Sequence, residues 1–194
     1  MKKHTNFFAL TSRMKYINRW GLMRNTRQEN IAEHSLDTAI ITHLLCEIKN
    51  KRFGGNVDAS RAVMYAIYHD VPEIITGDLP TPVKYYSPVI SEAYKDVEKA
   101  AVNRLLEGIP EDLRDTYAEI FNEENDPELR RIVKAADKIS ALIKCIEERK
   151  TGNSDFLDAE RQTLASIKKM NMPEADVFLN EFLPAYSLTL DEQA

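Results

Sequence analysis

The stretch AIYHDVPEIITGD, residues 66–78, ends an apolar helical run in polar side chains. His69 and Asp70 are adjacent in it, and Glu73 follows about one helical turn later. Imidazole nitrogens and carboxylate oxygens bind divalent transition ions, and a carboxylate that binds no metal can carry a proton. The stretch therefore indicates metal-assisted chemistry, although a glutamate directly after Pro72 also suits the first turn of a helix.

A second histidine, His34, follows a helix-capping signal. Each helical residue turns about 100°, so His34 lies within about 40° of three apolar residues of its helix, Ile41, Leu45 and Ile48. This position predicts that His34 is buried, whereas His43 lies about 180° away on the other side. A single buried histidine is more often a satisfied core residue than a ligand. The His-Asp pair elsewhere in the chain weakens that alternative.

Asp137 is the third unusual polar residue, in the middle of the apolar helical pattern RIVKAADKISALIKCI. A carboxylate on such a face is costly unless it is paired or bound to a cation. An ion pair with Lys134 or Lys138 is the simpler explanation. Together, however, four residues offer two nitrogens and two carboxylates from three helices, a set that suits an open divalent-metal site: His34, His69, Asp70 and Asp137.

Capping and proline signals predict helices along the whole chain, and no segment shows strand alternation. The length is typical of one domain, which we place at residues 1–194. A stiff loop with three prolines, residues 76–88, follows the His-Asp stretch. We predict an all-α helical bundle with the metal site between helices. The predicted helices cover about residues 5–22, 31–49, 58–71, 88–107, 110–122, 127–150, 154–170 and 173–183.

Composition limits the classes of partner. A net charge of −5 argues against a nucleic acid polymer, and no apolar run reaches the ~18 residues of a membrane span. Two separated cysteines and the lack of a signal-peptide core favour a cytoplasmic protein. Residues 1–30 are nevertheless basic, which suits either a small anionic ligand or a solvated arm. They hold one acid, Glu29, and seven bases: Lys2, Lys3, Arg13, Lys15, Arg19, Arg24 and Arg27.

The order His34, His69-Asp70, Asp137 resembles the H…HD…D signature of the HD-domain metal phosphohydrolases. Within that superfamily the chain is most similar to the bacterial 5′-deoxynucleotidases, over about residues 5–191. Three segments carry this resemblance: INRWGLMRNTRQENIAEHS, YHDVPEIITGDLPTPVKYY and KAADKISALIKCIEE. Val71-Pro72 departs from the family pattern, and the proline is expected to bend the backbone before Glu73.

The resemblance implies hydrolysis of a deoxyribonucleoside 5′-monophosphate to a deoxynucleoside and phosphate. It implies one divalent transition-metal ion as cofactor, with Co²⁺ expected in vitro and Mn²⁺ or Zn²⁺ also suited to the ligands. It also implies a homodimer. Neither the native metal nor the preferred base follows from the sequence.

The resemblance also implies roles for individual residues. His34, His69, Asp70 and Asp137 would hold the metal, and Glu73 and Arg19 would serve catalysis. Glu73 would transfer the proton, Arg19 would hold the phosphate, and Trp20 would cover the sugar or base unless it is ordinary core packing. Lys84 is a weaker phosphate candidate. The substrate-binding set is Arg19, Trp20, His34, Asp70, Asp78, Leu79, Pro80, Thr81 and Asp137.

Two alternatives remain open. One is another HD-superfamily enzyme: a triphosphohydrolase, a cyclic-nucleotide phosphodiesterase or a guanosine tetraphosphate hydrolase. The last of these typically carries an extra acid where this chain has Ile74. The other alternative is a non-catalytic nucleotide-binding protein, which would keep the metal ligands but would not need Glu73.

Overall fold

A computed structural model describes residues 5–84, 86–122 and 124–193. Lys2 and Lys3 of the basic segment, and both ends of the predicted domain 1–194, lie outside these residues. The all-α prediction is confirmed, since the described residues contain no β-sheet and only an isolated bridge between Asn18 and Asn30. The helices are α1 Phe7–Thr11, α2 Ile31–Arg52, α3 Ala59–Tyr68, α4 Glu73–Thr76, α5 Thr81–Lys84, α6 Pro88–Leu106, α7 Glu111–Phe121, α8 Pro127–Lys150, α9 Leu157–Lys169 and α10 Pro173–Val177.

Four short helical turns complete the described part of the chain. Ser12–Tyr16, Ser154–Phe156 and Leu183–Ser187 are 3₁₀ turns, and Phe178–Phe182 is a π turn that follows α10. The C-terminal helix predicted over 173–183 therefore corresponds to α10 and the π turn that continues it. A π turn is wider than an α-helical turn, since each hydrogen bond in it spans one more residue. No helix in the described part of the chain is long and apolar enough to cross a membrane.

The main core lies between α2, α3 and α8. Their apolar faces meet there, and each Leu or Ile side chain that becomes fully buried contributes about 1.5–3 kcal/mol to stability. Cys46 and Cys145 are both buried and unpaired, in agreement with the expected lack of a disulfide between them. This packing brings the start of α2, the end of α3 and the middle of α8 together. The fully buried core side chains include Leu45, Ala66, Ile132, Ile139 and Leu142.

The start of α2 follows the sequence prediction closely. The Asn30 side chain accepts hydrogen bonds from the backbone N–H groups of Ala32 and Glu33, and the Glu33 carboxylate accepts from the Asn30 N–H. This capping box satisfies N–H groups that have no partner within the helix. It therefore fixes the first helical turn, which carries His34.

The predicted helix over residues 5–22 is wrong beyond Tyr16. The chain becomes extended at Ile17, and its backbone pairs across the loop with the residues before α2. Ile31 N–H donates to the Ile17 carbonyl at 3.0 Å, and Arg19 N–H donates to the Glu29 carbonyl at 2.9 Å. These bonds replace the bonds to the residue four positions earlier that a helix needs.

Two further boundaries differ from the prediction. The helix predicted to reach Val71 ends at Tyr68, and the loop predicted over residues 76–88 contains the short helix α5. Pro72 has φ −58° and immediately precedes α4, a position where a missing N–H costs little. The proline thus marks the start of a new short helix whose first residue is Glu73.

Candidate active site

His34 lies in the first turn of α2 and is fully buried, as its helix face predicts, whereas His43 is exposed. Its Nε2 is 3.1 Å from Asp137 Oδ1 and 3.6 Å from Asp70 Oδ2. Its Nδ1 is 3.1 Å from Ser140 Oγ. The imidazole is therefore held from one side by the hydroxyl and faces two carboxylates with its other nitrogen.

His69 directly follows α3, and a backbone contact fixes its tautomer. Nδ1 donates to the carbonyl oxygen of Ala66 at 2.7 Å, and a carbonyl can only accept. In the neutral ring Nε2 therefore carries the lone pair that a metal ion needs. This Nε2 is buried, has no hydrogen-bond partner in the described structure and lies 3.2 Å from Asp70 Oδ1.

The four predicted metal ligands converge in the structure. Ligand atoms of His34, His69 and Asp70 all lie within 4.8 Å of one another, and Asp137 contacts Nε2 of His34. A buried imidazole nitrogen without a partner, beside two carboxylates, fits a divalent cation of the mixed nitrogen and oxygen type. The assignment of these side chains as ligands stays a prediction.

The electrostatics of Asp137 fit the same arrangement. Burial opposes its ionisation, but the hydrogen bond with His34 and the positive charge of Arg19 hold the pKa of Asp137 below its ordinary value. Asp137 is therefore an anion that faces the two histidines. The alternative ion pair with Lys134 or Lys138 is not what the structure shows, because the Asp137 carboxylate faces His34 and Arg19.

Glu73 is the first residue of α4, one turn from Asp70. The helix is interrupted between Tyr68 and Glu73, yet Glu73 N–H still donates to the Asp70 carbonyl at 3.0 Å, which keeps the two residues adjacent. Glu73 Oε2 is buried without a hydrogen-bond partner in the described structure. Burial, with the charges of Asp70 and Asp78, raises the pKa of Glu73 to about 9. This carboxyl can therefore hold a proton at neutral pH.

Arg19 and Trp20 lie at the start of the loop that precedes α2. Arg19 Nη1 is 3.2 Å from Glu29 Oε2, and its Nη2 is 4.0 Å from Asp137 Oδ1. Trp20 Nε1 donates to the same oxygen of Glu29 at 2.8 Å. Burial works against the charge of Arg19, but the carboxylates around it raise its pKa above the ordinary value. Arg19 is thus a buried cation directed at the candidate metal ligands.

The sequence reasoning did not identify Glu29, which holds both of these side chains. Glu29 is buried, and its other oxygen lies 3.9 Å from His34 Nδ1. The available signal was its position as the lone acid in a basic segment. Other bases of that segment remain in solvent, as the solvated-arm alternative expects: Arg13, Lys15, Arg24 and Arg27 are exposed.

The loop between α4 and α5 contributes unevenly to the site. Asp78 is half-buried. Burial raises the pKa of Asp78, against the opposing influence of the Arg19 charge and of the nearby Trp20 backbone N–H. Leu79 and Pro80 are half-buried and Thr81 is exposed. The Lys84 ammonium lies 2.8 Å from Glu98 Oε1 on α6. Among these predicted residues, Asp78 is therefore the one whose carboxyl interacts with Arg19 and with the Trp20 backbone.

The sequence of the whole chain matches one family. The family model described as 5′-deoxynucleotidase YfbR-like matches residues 6–186. A 5′-deoxynucleotidase of Erwinia tasmaniensis is 47% identical over 190 residues, which cover 97% of this chain and 96% of that protein. The 5′-deoxynucleotidase YfbR of Escherichia coli is 47% identical over 191 residues, which cover 98% of this chain and 96% of that protein.

Solved structures share the fold. A crystal structure of an HD-domain phosphohydrolase from Listeria innocua has a TM-score of 0.82 at 24% identity, covering 93% of this chain and 88% of that one. A cyanophage S-2L HD phosphohydrolase (DatZ), bound to dA and one catalytic Zn²⁺ ion, has a TM-score of 0.66 at 21% identity. The match covers 93% of this chain and 96% of that one. The predicted HD-domain helical fold is confirmed. The chain belongs to the YfbR-like 5′-deoxynucleotidase family.

Proposed function

We propose that this protein is a metal-dependent 5′-deoxynucleotidase that hydrolyses deoxyribonucleoside 5′-monophosphates to deoxynucleosides and phosphate. One observation carries the proposal. The unpartnered Nε2 of His69 faces a cluster with His34 and Asp70, one helical turn from the buried carboxyl of Glu73. Membership of the family supports the substrate class, because the relatives are 5′-deoxynucleotidases.

The cofactor in this proposal is one divalent transition-metal ion held by His34, His69, Asp70 and Asp137. When bound, such an ion withdraws charge from phosphate oxygens and makes a nearby water easier to deprotonate. Co²⁺ is the expected activator in vitro, and Mn²⁺ and Zn²⁺ also suit two imidazoles and two carboxylates. The DatZ structure, whose fold this chain shares, contains Zn²⁺.

Arg19 binds and orients the phosphate in this mechanism. Its planar guanidinium offers paired N–H donors that match two phosphate oxygens. Glu29 holds one side of the guanidinium, so that the other side points toward Asp137. The substrate phosphate is thereby placed between Arg19 and the candidate metal ligands, with the phosphorus open to in-line attack by water.

Glu73 carries the proton. A water attacks phosphorus, the bond from phosphorus to the 5′-oxygen breaks, and the leaving 5′-oxygen needs a proton to become a hydroxyl. Glu73, whose burial keeps it protonated near neutral pH, donates that proton and regains one from the attacking water. The products are a deoxynucleoside and inorganic phosphate, and the Glu73 carboxyl ends protonated, as it began.

Trp20 and Asp78 form the sugar side of the site in this proposal. The indole donates a hydrogen bond to Glu29, and Asp78 lies near the Trp20 backbone N–H, so a flat apolar surface stands beside Arg19. A ring packed against C2′ crowds a ribose hydroxyl and leaves it without a hydrogen-bond partner. The half-buried Leu79 and Pro80, with Thr81, would close over the nucleoside.

A phosphate-release screen tests the function. The purified protein is freed of metal with a chelator, supplied with Co²⁺, Mn²⁺ or Zn²⁺, and offered all ribo- and deoxyribonucleoside monophosphates and the matching triphosphates. We expect metal-dependent phosphate release from the deoxyribonucleoside monophosphates. Release of pyrophosphate or triphosphate from triphosphates would instead show a triphosphohydrolase, and nucleotide binding without any product would show a non-catalytic protein.

Two further expectations stay predictions: the homodimer that the family resemblance implies, and the cytoplasmic location that the separated cysteines and the lack of a signal-peptide core favour. A homodimer is tested by sedimentation of the purified protein at several concentrations. A cytoplasmic location is tested by fractionation of cells that express the chain at its natural level.

A further inference from the structure

The recognition loop, residues 18–30, carries the two side chains that the proposed function assigns to the substrate. Its base is closed by the Arg19 N–H, which donates to the Glu29 carbonyl. Trp20 has φ +62°, the left-handed region that a bulky residue rarely adopts without support from its surroundings. The Trp20 carbonyl accepts from Met23 N–H at 2.9 Å and from Asn25 Nδ2 at 3.2 Å. The loop is therefore a strained turn that must be held in place.

The tip of this loop is bonded to a buried acid on α8. Glu148 is 1% exposed and accepts hydrogen bonds from the Thr26 N–H at 2.9 Å and the Thr26 hydroxyl at 2.7 Å. It also accepts from the Arg27 N–H at 3.3 Å and from Asn153 Nδ2 at 2.8 Å. Although burial opposes ionisation, these donors and Lys144 hold the pKa of Glu148 below its ordinary value.

Lys144, one turn earlier on α8, completes the anchor. Its ammonium is paired with Glu148, and it donates to the Arg27 carbonyl at 2.6 Å. The ammonium also lies 5.7 Å from the ring centre of Phe156, and that ring packs at 5.3 Å against Trp20. The buried charges of Lys144 and Glu148 thus contact the tip of the recognition loop directly. Lys144 also contacts Phe156, which packs against Trp20.

The same face of α8 carries the candidate metal ligand. Asp137, Ser140, Lys144 and Glu148 are spaced by three, four and four residues, which places them in one row along the helix. From Asp137 to Glu148 the row is about 16 Å long, at about 1.5 Å per residue. One rigid helix therefore fixes the metal side of the site at one end and the recognition loop at the other.

We propose that Glu148 is a positioning residue for substrate recognition, which fixes the recognition loop so that Arg19 and Trp20 stand at a set place relative to Asp137. This inference rests on the proposed function. A buried ion pair is weak evidence for stability in itself, because desolvation offsets the attraction. The bonds of Glu148 to the loop backbone are instead the kind of contact that selects one loop conformation.

The test replaces Glu148 by glutamine and follows Trp20, the only tryptophan of the chain. In Glu148→Gln we expect Trp20 emission to move to longer wavelength and its quenching by acrylamide to increase, while far-UV circular dichroism stays native. With substrate we expect about a 10-fold higher KM, a smaller change in kcat, and a reduced preference for deoxy over ribo substrates. Binding of Co²⁺ to the chelated protein stays as in the wild type.

A matched control is Glu174→Gln, because Glu174 is also buried, at 2% exposure, and lies 3.6 Å from a lysine, Lys49. A second pair of variants avoids the buried acid. Thr26→Val removes the hydroxyl that donates a hydrogen bond to Glu148, whereas Thr26→Ser keeps a hydroxyl at that position. We expect Thr26→Val to raise KM in the same direction as Glu148→Gln, and Thr26→Ser to recover the wild-type value.

The outcomes separate this inference from the proposed function. If Glu148→Gln matches Glu174→Gln in Trp20 emission, KM and sugar preference, Glu148 is only a structural residue and the proposal is overturned. If Glu148→Gln does not fold, the Thr26 pair decides in the same way. If the wild type releases no phosphate from any monophosphate, the proposed function fails, while the Trp20 emission still reports whether Glu148 fixes the loop.

Discussion

His34 Nε2 lies 3.1 Å from Asp137 Oδ1, although the two residues are on different helices and 103 positions apart. The contact joins the first turn of α2 to the middle of α8, next to the core that packs these helices together. A buried imidazole and a carboxylate at this distance can form a hydrogen bond when no cation is present, and both can turn toward a cation when one binds. The helix packing thus sets the position of two predicted ligands at once.

Asp137→Ala is expected to abolish phosphate release and to weaken metal binding strongly, because one of four predicted ligand atoms is lost. Metal content after dialysis and activity with Co²⁺ are the measurements. Asp137→Asn, which keeps the shape of the side chain, separates loss of the charge from a cavity. Glu128→Ala, at the exposed start of the same helix, serves as the control. Normal metal content and activity in both Asp137 variants would mean that Asp137 is only a hydrogen-bonded helix acid.

Glu73→Ala is expected to keep the metal but to lower kcat by roughly 100-fold or more, the usual loss when a positioned proton carrier is removed. Metal binding to the chelated protein and kcat at saturating substrate are the measurements. An almost unchanged kcat would assign the proton to another group. Asp78 would be the next residue to test, since its half-buried carboxyl interacts with Arg19.

Much of this site follows from local sequence signals. The capping box at Asn30 and the apolar helix face predict where α2 begins and that His34 points inward, and both are observed. The order of His34, His69-Asp70 and Asp137 predicts that they converge, as the structure shows. The start of α2 and the direction of His34 follow from capping and helical periodicity, which the order of residues encodes directly. The convergence of the four side chains is expected from their ligand chemistry and from the resemblance to the HD-domain signature.

The recognition loop is where sequence reasoning failed. Its conformation depends on bonds to distant residues, such as Thr26 to Glu148 across 122 positions, and no local pattern encodes such a bond. Residues 17–22 combine Arg19 and Leu22, which favour helices, with Asn18 and Gly21, which do not, and the backbone pairing of Arg19 with Glu29 fixes the extended conformation. For the same reason the role of Glu29 could not be predicted, because it appears only when the loop folds back on itself.

The raised pKa of Glu73 predicts a pH dependence of stability in chelated protein. The pKa is about 9 in the folded chain against an ordinary value of 4.5, so the folded state binds more protons between these values. The free energy of unfolding should therefore fall as pH rises from about 4.5 to 9, and it should fall less in Glu73→Gln. Chemical denaturation of both proteins across this range measures the difference. Parallel curves for the two proteins would contradict the raised pKa.

Trp20 and Arg19 should separate sugar recognition from phosphate recognition. Phosphate contacts are the same for ribo- and deoxyribonucleotides, so the preference must arise around C2′. There, a buried hydroxyl without a partner costs about 1–3 kcal/mol, or roughly 5- to 150-fold. Trp20→Ala should lose most of that preference in kcat/KM, whereas Arg19→Ala should lower kcat/KM for both sugars alike.

The measurement is kcat/KM for a matched pair, dAMP and AMP, in the wild type and both variants. Because Trp20 and Arg19 share one oxygen of Glu29, each variant is also checked for native circular dichroism and metal binding. A wild-type ratio in Trp20→Ala would show that the sugar is recognised elsewhere. The loop from Asp78 to Thr81 would then be the next place to test, because Asp78 lies near the Trp20 backbone and Arg19.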